Sequence, residues 1–236
     1  MKKTIKKHHW SPYPPMQKVI ESMISPNSLV VEIGPGYIPF SSASEFIDWQ
    51  TSPSLVGKKV HTLDLNQESL PYEDKSIDFI YCRHVLEDIY NPGWVCQEMS
   101  RVAKAGYIET PSPIAECCRG IDGGESPFWR GYIHHRYLTW VDNGNLLFLP
   151  KYPIIEYLHF GDMEDQIIDL LNTSPMYWNT HFFWDGSINY SYLQHDDDFK
   201  VQIDYSEVVV RALENSALNS LEVALNFEIN LDPKET

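Results

Sequence analysis

The sequence predicts an α/β fold built on a mostly parallel sheet, and three observations predict it. Short, β-branched, apolar segments recur along the first half of the 236 residues, as the buried strands of a parallel sheet do. They alternate with helical or loop connections. The first of them, Leu29–Ile33, runs straight into Gly34-Pro35-Gly36. Glycines there let the backbone turn sharply and approach a ligand, at the strand ends where open α/β sheets hold their ligands.

Residues 1–12 carry four lysines in the first seven positions and read as a flexible basic arm. They begin like a signal peptide but lack the apolar stretch that one needs. Val19, Ile20, Met23 and Ile24 then recur at helical spacing, and Ser25-Pro26-Asn27-Ser28 ends that helix. Glu45–Asp48, Lys59–Leu65 and Asp78–Cys82 are the next strands. Pro92–Lys104 is a helix, with Asn91 as its cap, Pro92 at its first position, and Trp94, Val95, Met99 and Val102 on one side. Gly106–Thr110 is the fifth strand. From Pro111 the pattern breaks down, and 111–142 reads as irregular. Asn145–Leu149 reads as a strand and Gly161–Leu171 as a helix. Asp185-Gly186, between Tyr177–Trp184 and Ser187–Tyr192, signals an antiparallel hairpin. Val209, Leu213, Ala217 and Leu221 mark a closing helix over Ser206–Leu225.

The net charge of −15, from 33 acidic and 18 basic residues, speaks against a nucleic-acid partner, since phosphates would be repelled over most of the surface. No apolar run approaches the roughly 20 residues that span a bilayer, so no membrane role is expected. Four cysteines with no Cys-x-x-Cys pair make no disulfide framework, and the cytoplasm is the default location.

Taken alone, Gly34-x-Gly36 fits either a ligand-binding turn or a tight strand exit. A nicotinamide fingerprint would place a third glycine at position 39, where Pro39 stands. Asp48 closes the next strand and is placed to accept bonds from two ribose hydroxyls, or is a solvated strand end. Asp64 or Asn66, after the third strand, could read an adenine edge. Glu109, leaving the fifth strand, could position an acceptor, or bond backbone amides. Trp129–Tyr137 holds His134 and His135 as candidate bases, arginines that could clamp an anion, and aromatic walls; it could equally be a loop packed on the sheet. No metal site is expected, because adjacent histidines on a strand point to opposite faces and zinc spacings are missing. Asp196-Asp197-Asp198 reads as a solvated loop.

These residues carry a resemblance. Val31-Glu32-Ile33-Gly34-Pro35-Gly36 is similar to motif I of class I S-adenosylmethionine-dependent methyltransferases. Leu70–Asp88, reading LPYEDKSIDFIYCRHVLED, resembles the characteristic block of the type 11 members, and Glu98-Met99-Ser100-Arg101-Val102 resembles their following helix. The resemblance covers about residues 28–110. It implies a Rossmann-like twisted sheet with helices on both faces and a terminal antiparallel hairpin. One domain over 13–236 would comprise a cofactor half (28–110), an acceptor wall (111–175) and a hairpin with closing helix (176–236).

The resemblance also implies S-adenosylmethionine as cofactor, with Glu32, Gly34 and Gly36 against its methionine part and Asp48 on the ribose. Asp64, Asn66 and Gln67 would border the adenine, and Cys82, Arg83 and His84 would line the methyl end. His84, Glu109, His134 and His135 are the candidate catalytic residues. Two positions depart from the family: Ile38 stands where motif I has its third glycine, and Asp88 stands where the block has histidine. The expected activity is methyl transfer to a small-molecule or sugar-like acceptor. Two alternatives are a catalytically idle, cofactor-binding regulator of the same fold and another nucleotide-binding α/β enzyme.

Overall fold

Val30–Ile33 forms β1, buried at all four positions, and the sheet grows outward from it. β1 pairs in parallel with β2 (Glu45–Asp48) on one side and β4 (Ile77–Arg83) on the other. β3 (Lys59–Thr62), β5 (Ala103–Pro111) and β8 (Asn179–Asp185) complete the order β3-β2-β1-β4-β5-β8. Only β8 runs antiparallel. The computed structural model describes residues 3–50, 52–122, 128–193 and 201–231, the last span without the side chains of 201–204. Asp196-Asp197-Asp198 lies outside the described residues.

Side chains alternate across a strand, so the sheet feeds two cores. Val31, Ile33, Ile80, Cys82 and Ile108 pack with Val95, Met99 and Val102 of α2 (Pro92–Val102). Val30, Phe79, Tyr81 and Tyr107 pack on the opposite face. There they meet Met16 and Ile20 of α1 (Pro14–Met23), and Val223 and Ala224 of α5 (Val201–Asn226). Helices thus cover both faces, as expected. α2 begins as its sequence dictates: the Trp94 N–H donates to Asn91 Oδ1 at 3.2 Å and Pro92 opens the first turn. The crossover from β1 to β2, residues 34–44, contains no helix.

Beyond β5 a third core gathers Ile114, Trp140, Leu149, Ile167, Leu171, Trp178 and Val209. They come from α3 (Pro113–Cys117), β6 (Tyr137–Asp142), β7 (Asn145–Pro150), α4 (Met163–Thr173), the segment before β8, and α5. The irregular reading of 111–142 therefore misses α3 and β6. β6 and β7 form a hairpin around Asn143 and Gly144, both at positive φ.

The expected terminal hairpin does not form. β8 joins the main sheet, whereas β9 (Tyr190–Tyr192) pairs in parallel with β7 in a second sheet, ordered β6-β7-β9. Of the two turn residues only Gly186 takes positive φ, so the mirror-image turn that closes a tight hairpin is not made. The Gly186 N–H instead donates to Lys104 O at 2.7 Å, and the Ile188 N–H to Ser100 Oγ at 3.0 Å. These bonds lead the chain over α2, where the Tyr190 ring meets Phe148 edge to face and the Tyr192 ring lies tilted against it.

The segment before α1 lies along α4. Lys3 pairs with Asp169, the Lys6 N–H donates to Asn172 Oδ1 at 2.8 Å, and Asn172 Nδ2 donates to Thr4 O at 2.9 Å. Trp10 O accepts from the Arg83 guanidinium at 2.7 Å.

Candidate functional site

A cleft of about 790 Å³ opens at the carboxyl ends of β1 to β4. Gly34 and Gly36 form its floor, Asp48 and Trp49 one side, Asp64 and Asn66 the next, and His84 and Asp88 the far wall. Gly34 has φ +68, and a Cβ there would stand 2.3 Å from Val85 Cγ2. Gly36 has φ +54, and a Cβ there would meet nothing within 4 Å. The first glycine is thus required by packing and backbone together, the second by backbone.

Glu32 does not line the cleft. It is 2% exposed, behind the turn, and its Oε2 accepts from the Phe40 N–H at 2.8 Å. Burial pushes its carboxyl up to about 8, against the pull of that bond and of Arg83. Its contact is with the 34–40 loop, which it holds in shape. Asp48 lines the cleft, and its Oδ1 accepts from the Trp49 N–H at 2.7 Å, leaving the other oxygen open.

Asp64 takes the Asn66 N–H (2.9 Å) and Asn66 Nδ2 on one oxygen and Gln67 Nε2 (2.7 Å) on the other. The Asn66 bonds first, and then Gln67, hold its carboxyl below the usual range. Asp64 and Asn66 reach the cleft, whereas Gln67 acts on Asp64 and is not part of the lining.

The methyl-end residues divide by the alternation of β4. Cys82 is 1% exposed in the α2-side core and does not reach the cleft; burial pushes its thiol well up. Arg83 points to the other face and also stays outside the cleft, with Nε donating to Glu109 Oε1 at 2.6 Å. His84 alone of the three lines the cleft, at φ +54. Its Nδ1 lies 3.3 Å from Glu87 Oε1 and its Nε2 3.7 Å from Glu109 Oε1. Burial works against the charged ring, but Glu109 and then Glu87 outweigh it and raise its pKa.

Glu109, a candidate base from sequence, is 1% exposed and fully engaged. Besides Arg83 it accepts from the Tyr107 hydroxyl at 2.6 Å, which also lies 2.6 Å from His181 Nδ1. Burial opposes the ionised form, yet Arg83, His84 and His181 hold the carboxyl far below the usual range. With its oxygens bonded to Arg83 and Tyr107 and no place in the cleft lining, it positions Arg83 and His84. Tyr107 and His181 complete this network and carried no sequence signal beyond apolar strand neighbours.

His134 and His135 stand at the rim, outside the lining. His134 is exposed, 3.7 Å from Asp122 Oδ2, and His135 is buried with Nδ1 2.6 Å from Glu116 Oε1. Arg130 is no anion clamp: it is 1% exposed and bound to Leu158 O (2.8 Å) and Glu164 Oε1 (2.6 Å). Arg136 lies over the Tyr90 ring at 3.6 Å.

A parallel sheet with a glycine turn and acidic strand ends around one cleft is a Rossmann-like architecture, of which the class I methyltransferase fold is one form. Residues 42–108 match the family model of the type 11 Methyltransferase domain, well under half of the chain. That stretch is a type 11-like domain of the S-adenosylmethionine-dependent class, and its cofactor is S-adenosylmethionine. Asp48, Asp64, Asn66 and His84 fall within the match; Glu32, Gly34 and Gly36 precede it.

Among solved structures, the chain is similar to an S-adenosylmethionine-dependent methyltransferase from Mesorhizobium loti, at 16% identity and a TM-score of 0.35, over 43% of this chain and 55% of that one. One from Aquifex aeolicus is 19% identical, with a TM-score of 0.34 over 43% and 65%. The YcgJ protein of Bacillus subtilis is 21% identical, with a TM-score of 0.32 over 41% and 49%. The chain thus spans about half to two thirds of the length of these structures. No curated protein matches it. No helix among the described residues is long and apolar enough to cross a membrane.

The residues fit the cofactor. The cleft has the volume for a ligand of this size, the Gly36 backbone is open to close approach, and Asp48 keeps a carboxylate oxygen for a hydroxyl pair.

Proposed function

We propose that this protein transfers a methyl group from S-adenosylmethionine to a small-molecule or sugar-like acceptor. One observation carries the reading: Asp48, at the end of β2, shares a single cleft with the Gly34–Gly36 turn and with Asp64 and Asn66. In this reading Asp48 accepts from the ribose hydroxyls, Asp64 and Asn66 border the adenine, and the glycine turn takes the methionine part. The bound sulfonium supplies an electrophilic methyl group. The chain's own work is then to align the acceptor and exclude water. Tyr37 and Trp49 line the cleft with rings 92% and 74% exposed, available to cover a ligand. An acceptor that has to lose a proton needs a base within reach; His84 on the cleft wall and His134 and His135 at the rim are the candidates.

Thermal unfolding with S-adenosylhomocysteine tests the cofactor half, with NAD as a control. A hundredfold excess over the dissociation constant should add about 2.7 kcal/mol of stability, and NAD should add none. Asp48→Ala should weaken homocysteine-compound binding by about 10- to 100-fold, as a charged hydrogen bond of about 1.5–3 kcal/mol is lost, with the melting temperature of the unliganded protein unchanged. Unchanged affinity would remove Asp48 from the ribose site. A shift with NAD alone would favour a nicotinamide enzyme.

A further inference from the structure

His134 and His135 do not lie on a strand. A turn, with the His135 N–H donating to Tyr132 O at 3.3 Å, brings their rings edge to face at 4.5 Å. Asp88 meets them from the loop after β4, and ligand atoms of all three lie within 4.8 Å of one another. The reason for setting a metal aside, that adjacent histidines diverge, does not apply to this turn.

Two further features point to a cation. His135 has its Nδ1 committed to Glu116, which Lys151 holds from the other side. That leaves Nε2 as the nitrogen open to a ligand, the carboxylate–histidine arrangement that orients metal-binding imidazoles. Glu87, the neighbour of Asp88, is 1% exposed; its Oε1 lies 3.3 Å from His84 Nδ1, and its Oε2 has no hydrogen-bond partner among the described residues. Buried carboxylates are ordinarily paired or bound to a metal. The nearby Arg136 guanidinium is turned onto the Tyr90 ring.

We propose that Asp88, His134 and His135 bind a divalent transition-metal cation, with Glu116 orienting His135 and Glu87 as the anion behind the site. Two imidazoles and a carboxylate suit zinc, iron(II) or cobalt(II) better than magnesium or calcium. Three protein ligands leave coordination positions open. Asp88 also lines the cofactor cleft, so an open position there would take an oxygen of the acceptor. That last role rests on the methyltransferase reading; the binding of the cation does not.

The test uses the full chain, stripped with a chelator and titrated with Zn²⁺ by calorimetry in the absence of any nucleoside. Co²⁺ is added in parallel for its visible absorption. One equivalent should bind, with a cobalt spectrum showing nitrogen and oxygen ligation. Asp88→Asn and His134→Ala, both at exposed positions, should each lower the affinity at least tenfold. His159→Ala, an exposed histidine elsewhere, should leave it unchanged. No saturable one-to-one binding, or binding equally strong in Asp88→Asn and His134→Ala, would overturn the site. Retained S-adenosylhomocysteine binding without metal binding would refute the metal site alone; metal binding without homocysteine-compound binding would refute the cofactor reading alone.

Discussion

Replacing Glu32 with glutamine removes an ionisation from beneath the glycine turn while keeping its shape, because the amide oxygen can still accept from the Phe40 N–H. Burial raises this carboxyl from an ordinary 4.5 to about 8. In the unfolded chain the proton leaves near pH 4.5; in the folded protein it stays until about pH 8. Between those values the unfolded state binds fewer protons, so folding stability falls as pH rises. The contribution is fully present below pH 4.5 and is lost by about pH 8. The slope is about 1.4 kcal/mol per pH unit, and from pH 5 to 8 it amounts to about 3.5 kcal/mol. Urea unfolding of the wild type and of Glu32→Gln at pH 5, 6, 7 and 8 isolates it, since other titrating groups cancel in the difference. The variant should gain on the wild type steadily across that range. Two parallel curves, or a variant that loses ground as pH rises, would refute the assignment of a buried, protonated Glu32.

Gly34→Ala should cost about 1–3 kcal/mol in the same assay, because of the contact with Val85 and the positive φ. Adding Val85→Ala should recover the steric part only, and full recovery would mean that φ carries no penalty. Glu109→Gln should cost about 3–5 kcal/mol, as it leaves Arg83 without its buried counter-ion, and a change below about 1 kcal/mol would show that Arg83 finds another partner. Because its folded-state pKa is depressed, Glu109 contributes stability above its unfolded pKa that is lost as pH falls, so this variant should flatten the acid limb of the stability curve. Tyr107→Phe removes a hydroxyl bonded to both Glu109 and His181 and should cost about 1–3 kcal/mol in thermal unfolding, with an unchanged melting temperature counting against the network.

The centre of the sheet was legible because β1, β4 and β5 are largely buried on both faces and so read as near-continuous apolar runs. α2 was legible because cap, proline and apolar stripe agree. The two tight turns teach the opposite lesson. Asp185-Gly186 carries the hairpin dipeptide, yet tertiary bonds to Lys104 and Ser100 send the chain elsewhere. Asn143-Gly144 carries the same signal and does close a hairpin, β6–β7, whose first strand lies at the end of the stretch 111–142 that reads as irregular. At the site, strand-end residues Asp48 and Asp64 line the cleft, while Cys82 and Arg83 lie outside it. A motif fixes position along β4 but not which face each side chain takes. Glu109 looked available because its partners, Tyr107 and His181, come from neighbouring strands, and pairing across a sheet is invisible to local sequence.

The segment beside α4 has a consequence for the order of events on the ribosome. Lys3 and its partner Asp169 are 166 residues apart in the chain. At about 5–20 residues per second, Lys3 waits roughly 8–33 s for Asp169 to be made. The five parallel strands of the main sheet are complete by Pro111, so the frame of the cleft can assemble during that interval. The contacts of the leading segment with Asp169 and Asn172 can form only once α4 has been made, whereas both partners of the Trp10–Arg83 bond exist as soon as β4 is complete. A nascent chain halted before α4 would hold the five parallel strands with the contacts of Lys3, Thr4 and Lys6 still unmade.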